Sequence, residues 1–387
     1  MSLFKVPKLR KKNSSWESTF NNTGQEDTCE TFDFREISDL VEIGRGSFAA
    51  VFAAQYTTAK SSASKQVVVK KLFDLDVCEK GLFLKEVRLL HTLKHANIVS
   101  FHGMCTTPPS IMMEYMCFDF SPFEREQKVH SLKELLSELA DGDPSDFIHV
   151  MPIIASDVTK GLRYLHDNGV VHRDLKPANV LVSNQHYCNL ADLTEVERSW
   201  STVPVICKLS DFGEARSQLI MTRNLNLTTT KDVNRGTPAF RAPEVLLPGH
   251  EQPMGLRQLK SVDIWALGLL FFCVVNPGLS TPYSYEFKTG EIQPQNYMSH
   301  MKSMLAKNQL PSPLPEFALL QNTSWKNIYD AFQRCATFEN EKRPTASEVL
   351  EILTSACNIN QDQTGAQLTQ DNDKMKVCVL VMEGFVK

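Results

Sequence analysis

The sequence has no CxxC pair among its ten cysteines, no strong imbalance of charge and no apolar stretch long enough to cross a bilayer. Each absence removes a class of protein. Scattered cysteines argue against a disulfide frame or a structural zinc site, and for thiols in a reducing compartment. The expected location is cytoplasmic, with nuclear import left open. A net charge of −4 with 22% charged residues gives no footprint for direct nucleic-acid binding. The longest apolar run, Ile264 to Val275, falls short of the roughly 20 residues of a transmembrane helix and reads as a buried helix. No apolar block follows the basic start Lys5, Lys8, Arg10, Lys11, Lys12, so no secretory signal is expected, and Met1-Ser2 is not a myristoylation start. That basic cluster fits a solvated tail; a nuclear-import or membrane-surface patch is the sharper alternative.

What is present is enough apolar material, 42% of 387 residues, for a large core divided between two lobes. Residues 1–33 are polar and expected to be disordered. From 34 to 116 short β-branched runs, Gln66–Val69 and Ser110–Met113, enclose one amphipathic stretch, Leu82–Leu93. That pattern predicts a small sheet with one helix. From about Leu132 helical patterns dominate: Leu132–Leu139, Ile148–Asn168, Ser261–Val275, Trp325–Thr337 and Thr345–Thr354. Residues 358–387 read as a polar tail with a strand-like Val377–Val381, and there is no internal repeat. The expected class is α+β.

Chemistry gathers in a few stretches. Gly44-Arg45-Gly46-Ser47-Phe48-Ala49-Ala50-Val51 joins two apolar strands, so its amides can lie over phosphates; a glycine hairpin explains it equally well. Lys70 ends a Val-rich strand, and Glu86 on the following helix offers it an ion pair. His172-Arg173-Asp174-Leu175-Lys176-Pro177-Ala178-Asn179 follows a helix ending at His166. Asp211-Phe212-Gly213, Ala242-Pro243-Glu244 and Asp263-Ile264-Trp265-Ala266-Leu267-Gly268 come next, in that order. One such match arises by chance; the ordered series does not.

With these motifs the chain resembles a eukaryotic protein kinase of the serine/threonine type from about Phe34 to Cys357, with Phe101-His102-Gly103-Met104-Cys105 similar to the tyrosine-kinase-like branch. The resemblance implies a two-lobed fold, a small β-rich N-lobe over 34–116 and a helical C-lobe over 117–357. It implies ATP and Mg2+ as cofactors and proteins as substrates. Lys70 would hold the α- and β-phosphates and pair with Glu86. Asp174 would orient the substrate hydroxyl, Lys176 would neutralise the γ-phosphate, and Asn179 and Asp211 would bind magnesium. Gly44, Arg45, Gly46 and Ser47 would cover the phosphates. Val51, Val68 and Leu181 would sandwich adenine, Met113 would be the gatekeeper, and Glu114 and Met116 would bond the ring through their backbones. Glu244 would pair with Arg343, Asp263 would anchor the catalytic loop, and Leu90, Phe101, His172 and Phe212 would form the stack joining the lobes.

Ala49 stands where the family pattern has a third glycine, and Val68 where it has alanine. Those two positions are the support for an alternative reading, a nucleotide-binding pseudokinase scaffold; a dual-specificity kinase is another. The segment Asn184–Pro204, within the region the family spans with a short hairpin, reads as a surface loop, with a docking role as the alternative. Lys176-Pro177 and Gly236-Thr237-Pro238-Ala239-Phe240 resemble the serine/threonine class. Arg173, Lys85 and Arg216 would collect around an activating anion. That anion is either a phosphate on Thr228, Thr229 or Thr230, added by an upstream kinase or by the chain itself, or the constitutive carboxylate of Asp232.

Overall fold

The structure, a computed structural model, describes residues 29–46, 49–58, 63–73, 77–140, 148–217, 237–247, 254–279, 281–285, 289–290, 293–315 and 325–355. The chain divides into two compact units, residues 1–77 with 101–115 and residues 78–100 with 116–387.

The first unit is a five-stranded antiparallel sheet: β1 (Ile37–Arg45), β2 (Ala49–Tyr56), β3 (Lys65–Leu72), β4 (Phe101–Thr106) and β5 (Pro109–Glu114), in the order β1-β2-β3-β5-β4. Side chains alternate between its faces. Val67 and Val69 pack on one face with Ala54, Cys105 and Met112, closed over by Phe32 and Ile37. On the other face Val51 stands opposite Lys70, and Val68 opposite Met113. Four of the residues expected to meet ATP therefore share one face of one sheet.

The described residues reach back past the expected boundary at 34. Phe32 N–H donates to the Met104 carbonyl (3.1 Å) and Met104 N–H to the Glu30 carbonyl (2.9 Å), so residues 30–32 cover the open edge of β4. Phe32 is 7% exposed. Its polar neighbours conceal in sequence a side chain that helps close the core.

The second unit holds α1 (Val77–Thr92), β6 (Phe118–Asp119), β7 (Lys128–Val129), α2 (Leu132–Leu139), α3 (Val150–Asp167), β8 (Val170–Val171), β9 (Val180–Ser183), α4 (Leu193–Thr202), β10 (Ile206–Leu209), β11 (Arg216–Ser217), α5 (Pro243–Leu246), α6 (Leu256–Val274), α7 (Tyr297–Ala306), α8 (Trp325–Cys335) and α9 (Ala346–Ser355). The expected N-lobe included α1; the contacts put nearly all of it in the second unit. Lys85 Nζ donates to the Ala215 carbonyl (2.9 Å), and just beyond the helix Lys94 N–H donates to Tyr164 Oη (3.0 Å). Helix α2 starts on a capping box between Ser131 and Glu134, worth about 1 kcal/mol. Helix α6 begins at Leu256, ahead of the expected Ser261, because the Gln258 carboxamide turns back to accept the Gly255 N–H (2.9 Å). From Asp263 to Val274 every residue of α6 is buried, which is what its apolar run requires. Gly268 permits the close approach of α8: a Cβ there would lie 2.8 Å from Cys335 Cβ. No helix among the described residues is long and apolar enough to cross a membrane.

The segment Asn184–Pro204 corrects the expectation of a surface loop. Strands β9 and β10 do form a hairpin, with Ser183 opposite Ile206, but the connection carries α4 and is rooted in the core. Asn184 is fully buried; its N–H donates to the Cys117 carbonyl (3.3 Å), its Oδ1 accepts the Asp119 N–H (2.8 Å) and its Nδ2 donates to the Asp119 carbonyl (2.8 Å). Tyr187 is also fully buried and donates its hydroxyl to the Pro204 carbonyl (2.7 Å). The Trp200 ring on α4 lies 4.8 Å from that of Phe123 and 5.0 Å from that of His149. The segment Val377–Val381 lies outside the described residues.

Candidate active site

A single buried carboxylate sets the geometry of the loop from His172 to Asn179. Asp263, on α6, is fully buried. Its Oδ2 accepts the His172 N–H (2.8 Å) and His166 Nε2–H (3.0 Å), and its Oδ1 accepts the Arg173 N–H (2.8 Å). Capturing two successive amides folds the backbone sharply, and Arg173 takes φ 70°, in the left-handed region that costs a non-glycine residue about 1–3 kcal/mol. Burial alone would raise the Asp263 carboxyl, but the hydrogen bond and charge of His166, with His172 and the Arg173 amide, hold it below its ordinary value. His166, the last buried residue of α3, was not recognised in the sequence as part of this anchor. The signal was there: the histidine ends the helix that precedes the loop.

His172 is likewise fixed. With the proton on Nε2 it donates to the Ser210 carbonyl (3.0 Å), leaving Nδ1 to accept the Asp174 N–H (3.3 Å). Its ring centre is 5.3 Å from that of Phe212. Both are buried, as is Leu90; Phe101, the fourth residue expected in that stack, is buried in the sheet unit.

This frame presents the Asp174 carboxylate among three partners. Oδ1 accepts the Thr237 N–H (2.6 Å); Oδ2 accepts from Lys176 Nζ (2.7 Å) and from Asn179 Nδ2 (3.0 Å). Lys176 Nζ also donates to Thr237 Oγ1 (2.5 Å), which ties the His172–Asn179 loop to the segment before Ala242-Pro243-Glu244. Asn179 Nδ2 bonds the Asp174 carbonyl as well (2.8 Å). Its amide is thus oriented with the NH2 toward Asp174 and the Oδ1 left as an oxygen donor. Asp211 has φ 59° and Gly213 follows two residues on; a Cβ added at Gly213 would lie 3.5 Å from Asp211 Oδ1 and 3.8 Å from Glu86 Oε2. The carboxylates of Asp211 and the buried Glu86 therefore both face the same short turn.

The remaining positions divide as follows. In the sheet unit, Gly46 N–H donates to the Ala49 carbonyl (2.8 Å) at the β1–β2 turn, whose tip, with Ser47, lies outside the described residues. Gly44 pairs with Val51 in the ladder. Arg45 is engaged with Glu42 (2.5 Å) and lies over the Phe73 ring, so its charge has a local partner. Glu114 ends β5, opposite Val67. In the second unit, the Met116 carbonyl receives His130 Nδ1–H (3.0 Å), using one of its two lone pairs, and Leu181 on β9 bridges to Ser131.

Lys85 and Arg173 reach adjacent carbonyls just past Gly213: Lys85 Nζ donates to Ala215 and Arg173 Nη1 to Glu214 (3.4 Å). Arg216 is the next residue, on β11. Thr228, Thr229, Thr230 and Asp232 lie outside the described residues. The expected Glu244–Arg343 pair is bidentate, at 2.7 and 2.8 Å, with the Arg343 guanidinium also over the Trp265 ring.

A loop pinned by one buried carboxylate, a second carboxylate held among lysine, asparagine and threonine, and two acids facing an Asp-Phe-Gly turn are the motifs of a protein kinase domain brought into position. The chain matches the protein kinase domain over residues 37–353 and belongs to that family, whose members use ATP with a divalent metal. It is 29% identical over 351 residues to the serine/threonine-protein kinase BCK1/SLK1/SSP31 of Saccharomyces cerevisiae, covering 86% of this chain and 19% of that protein. It is 29% identical to the serine/threonine-protein kinase LMTK1 of Homo sapiens, over 82% of this chain and 20% of the relative. With mitogen-activated protein kinase kinase kinase 13-B of Xenopus laevis it shares 29% identity over 80% of this chain and 25% of the relative. The chain thus spans about a fifth to a quarter of the length of these relatives.

Proposed function

We propose that this chain transfers the γ-phosphoryl group of ATP to serine and threonine hydroxyls of protein substrates. The observation that carries the proposal is the Asp174 carboxylate, fixed by Thr237 N–H, Lys176 and Asn179 on a loop that Asp263 holds from below. In this reading the acceptor oxygen forms a bond to the γ-phosphorus as the bond to the ADP leaving oxygen breaks, and the hydroxyl proton passes to Asp174. Lys176 stabilises charge spreading over the transferred oxygens. Lys70, on the face shared with Val51, Val68 and Met113, holds the α- and β-phosphates. Asn179 Oδ1 and Asp211 are hard oxygen donors that suit Mg2+, which would neutralise phosphate charge when bound.

Serine and threonine specificity rests on the Lys176–Thr237 link, which sets the depth of the site beside Asp174. The named relatives, serine/threonine kinases among them and one a kinase kinase kinase, make other protein kinases the first substrates to test. The experiment is a phosphorylation assay of wild type and Asp174→Asn with phosphoamino-acid analysis. Phosphoserine and phosphothreonine that vanish in the variant are expected; a predominance of phosphotyrosine, or an unchanged rate in the variant, overturns the reading.

A further inference from the structure

The second unit carries a cleft outside the site described above. It has a volume of about 590 Å³ and lies between the end of α3 and the starts of α6 and α9. Three cations line it: Arg163 on α3, and Arg257 and Lys260 one turn apart on α6. Among the described residues none of the three makes a hydrogen bond or an ion pair, whereas Arg343, at the back of the same cleft, is fully engaged by Glu244. The first turns of α6 and α9 also border the cleft, but each is capped from within, Gly255 N–H by Gln258 Oε1 and Thr345 N–H by the Glu348 carboxylate, so the three cations supply the positive charge. Concentrating cations of one sign in a concave wall raises the local potential well above that of the same charges dispersed on a convex surface.

The walls also set a limit. Asp167, four residues after Arg163 on α3, and Glu341 line the same cleft. An extended polyanion would lay part of its charge against those carboxylates. A compact dianion with neutral or basic flanks would not, and the volume exceeds what a bare phosphate fills. We propose that this cleft binds a phosphoserine or phosphothreonine peptide, with the phosphate among Arg163, Arg257 and Lys260 and basic flanks toward Asp167 and Glu341. The site would let the kinase recognise proteins already phosphorylated.

The test uses the purified full chain without ATP and a fluorescent peptide library. Each peptide has a central phosphothreonine, no other hydroxyl residue, and flanks drawn from glycine, alanine, asparagine, lysine and arginine. The unphosphorylated library is the comparison. Wild type is expected to bind the phosphorylated library about tenfold more tightly than its comparison, the scale of one charge-assisted contact set. The triple variant Arg163→Ala/Arg257→Ala/Lys260→Ala should lose that preference, with an unchanged unfolding midpoint and unchanged activity on a generic substrate. Glu341→Gln, an exposed change, should weaken binding of lysine- or arginine-flanked phosphopeptides about two- to threefold and leave glycine-, alanine- or asparagine-flanked ones unchanged, a selectivity that a folding defect cannot mimic. Three outcomes overturn the proposal: no phosphate preference in wild type, a preference retained in the triple variant, or displacement of the peptide by inorganic phosphate at the same concentration as by unlabelled phosphopeptide.

Discussion

Two loops of the second unit are each pinned from the core by one polar side chain. Asp263 captures the amides of His172 and Arg173; Asn184 captures the amide and carbonyl of Asp119. Both anchors are fully buried. The difference is charge. An aspartate accepts several N–H groups at once and can force a left-handed residue, but it needs partners such as His166 to remain ionised in the interior. An asparagine both donates and accepts, so it docks a segment edge to edge with no net charge to neutralise. The first arrangement fixes the loop that carries the Asp174 carboxylate; the second attaches an extra segment.

The largest expected effect breaks the first loop at its working end. Asp174→Asn should lower turnover about 10²- to 10⁴-fold, the range for loss of a positioned acid–base group, with an unfolding midpoint close to wild type. Single-turnover kinetics and calorimetry check both halves. Breaking the anchor should act on folding as well. Asp263→Asn should cost about 3–5 kcal/mol, because the new NH2 group faces N–H donors from which the carboxylate accepted. The folded-state pKa of Asp263 lies below its ordinary value of 3.8, so this stabilisation is fully present above that pH and is lost only as pH falls through the lower folded value. Urea unfolding should show a constant gap between the two proteins through neutral pH, narrowing in strong acid.

The neutral anchor predicts smaller losses. Asn184→Ala should destabilise by about 1–3 kcal/mol, leaving the Asp119 amide and carbonyl unpaired. Because Asp119 follows Met116 so closely, the KM for ATP should rise more than turnover falls; steady-state kinetics resolve the two. Tyr187→Phe removes the bond to the Pro204 carbonyl and should cost about 1 kcal/mol. The smallest effect should come from replacing residues 189–203 with a short Gly-Ser turn while keeping Asn184, Tyr187 and Pro204. Activity on a generic substrate should stay within about threefold; loss of activity in a folded protein would mean that α4 acts on the site.

The candidate residues of the first loop were legible because each motif is local: Asp174, Lys176 and Asn179 fall within one short stretch, and Asp211 with Gly213 in another, and it was the resemblance to the kinase family that gave them their implied roles. Helix α2 was legible because its cap and apolar face lie within a few residues of each other. The segment Asn184–Pro204 was not, because its polar composition matches a loop. Its one helical signal, Asp192 capping the Thr194 amide with Glu195 next and Val196 and Trp200 one turn apart, is short and weak. Helix α7 was missed for a related reason: its buried residues are only Met301 and Leu305.

The sequence by itself determined the family and the order of the motifs that carry it, since these depend on residue type and short spacing. Only the tertiary structure decided which distant groups share a carboxylate, as Asp263 joins His166 to the catalytic loop, and that Phe32 and Asn184 belong to the core. It also decided that Arg163, Arg257 and Lys260 line one cleft. Such choices depend on which segments of the folded chain come to lie side by side, and a burial energy summed over many partners is not carried by any one stretch of residues.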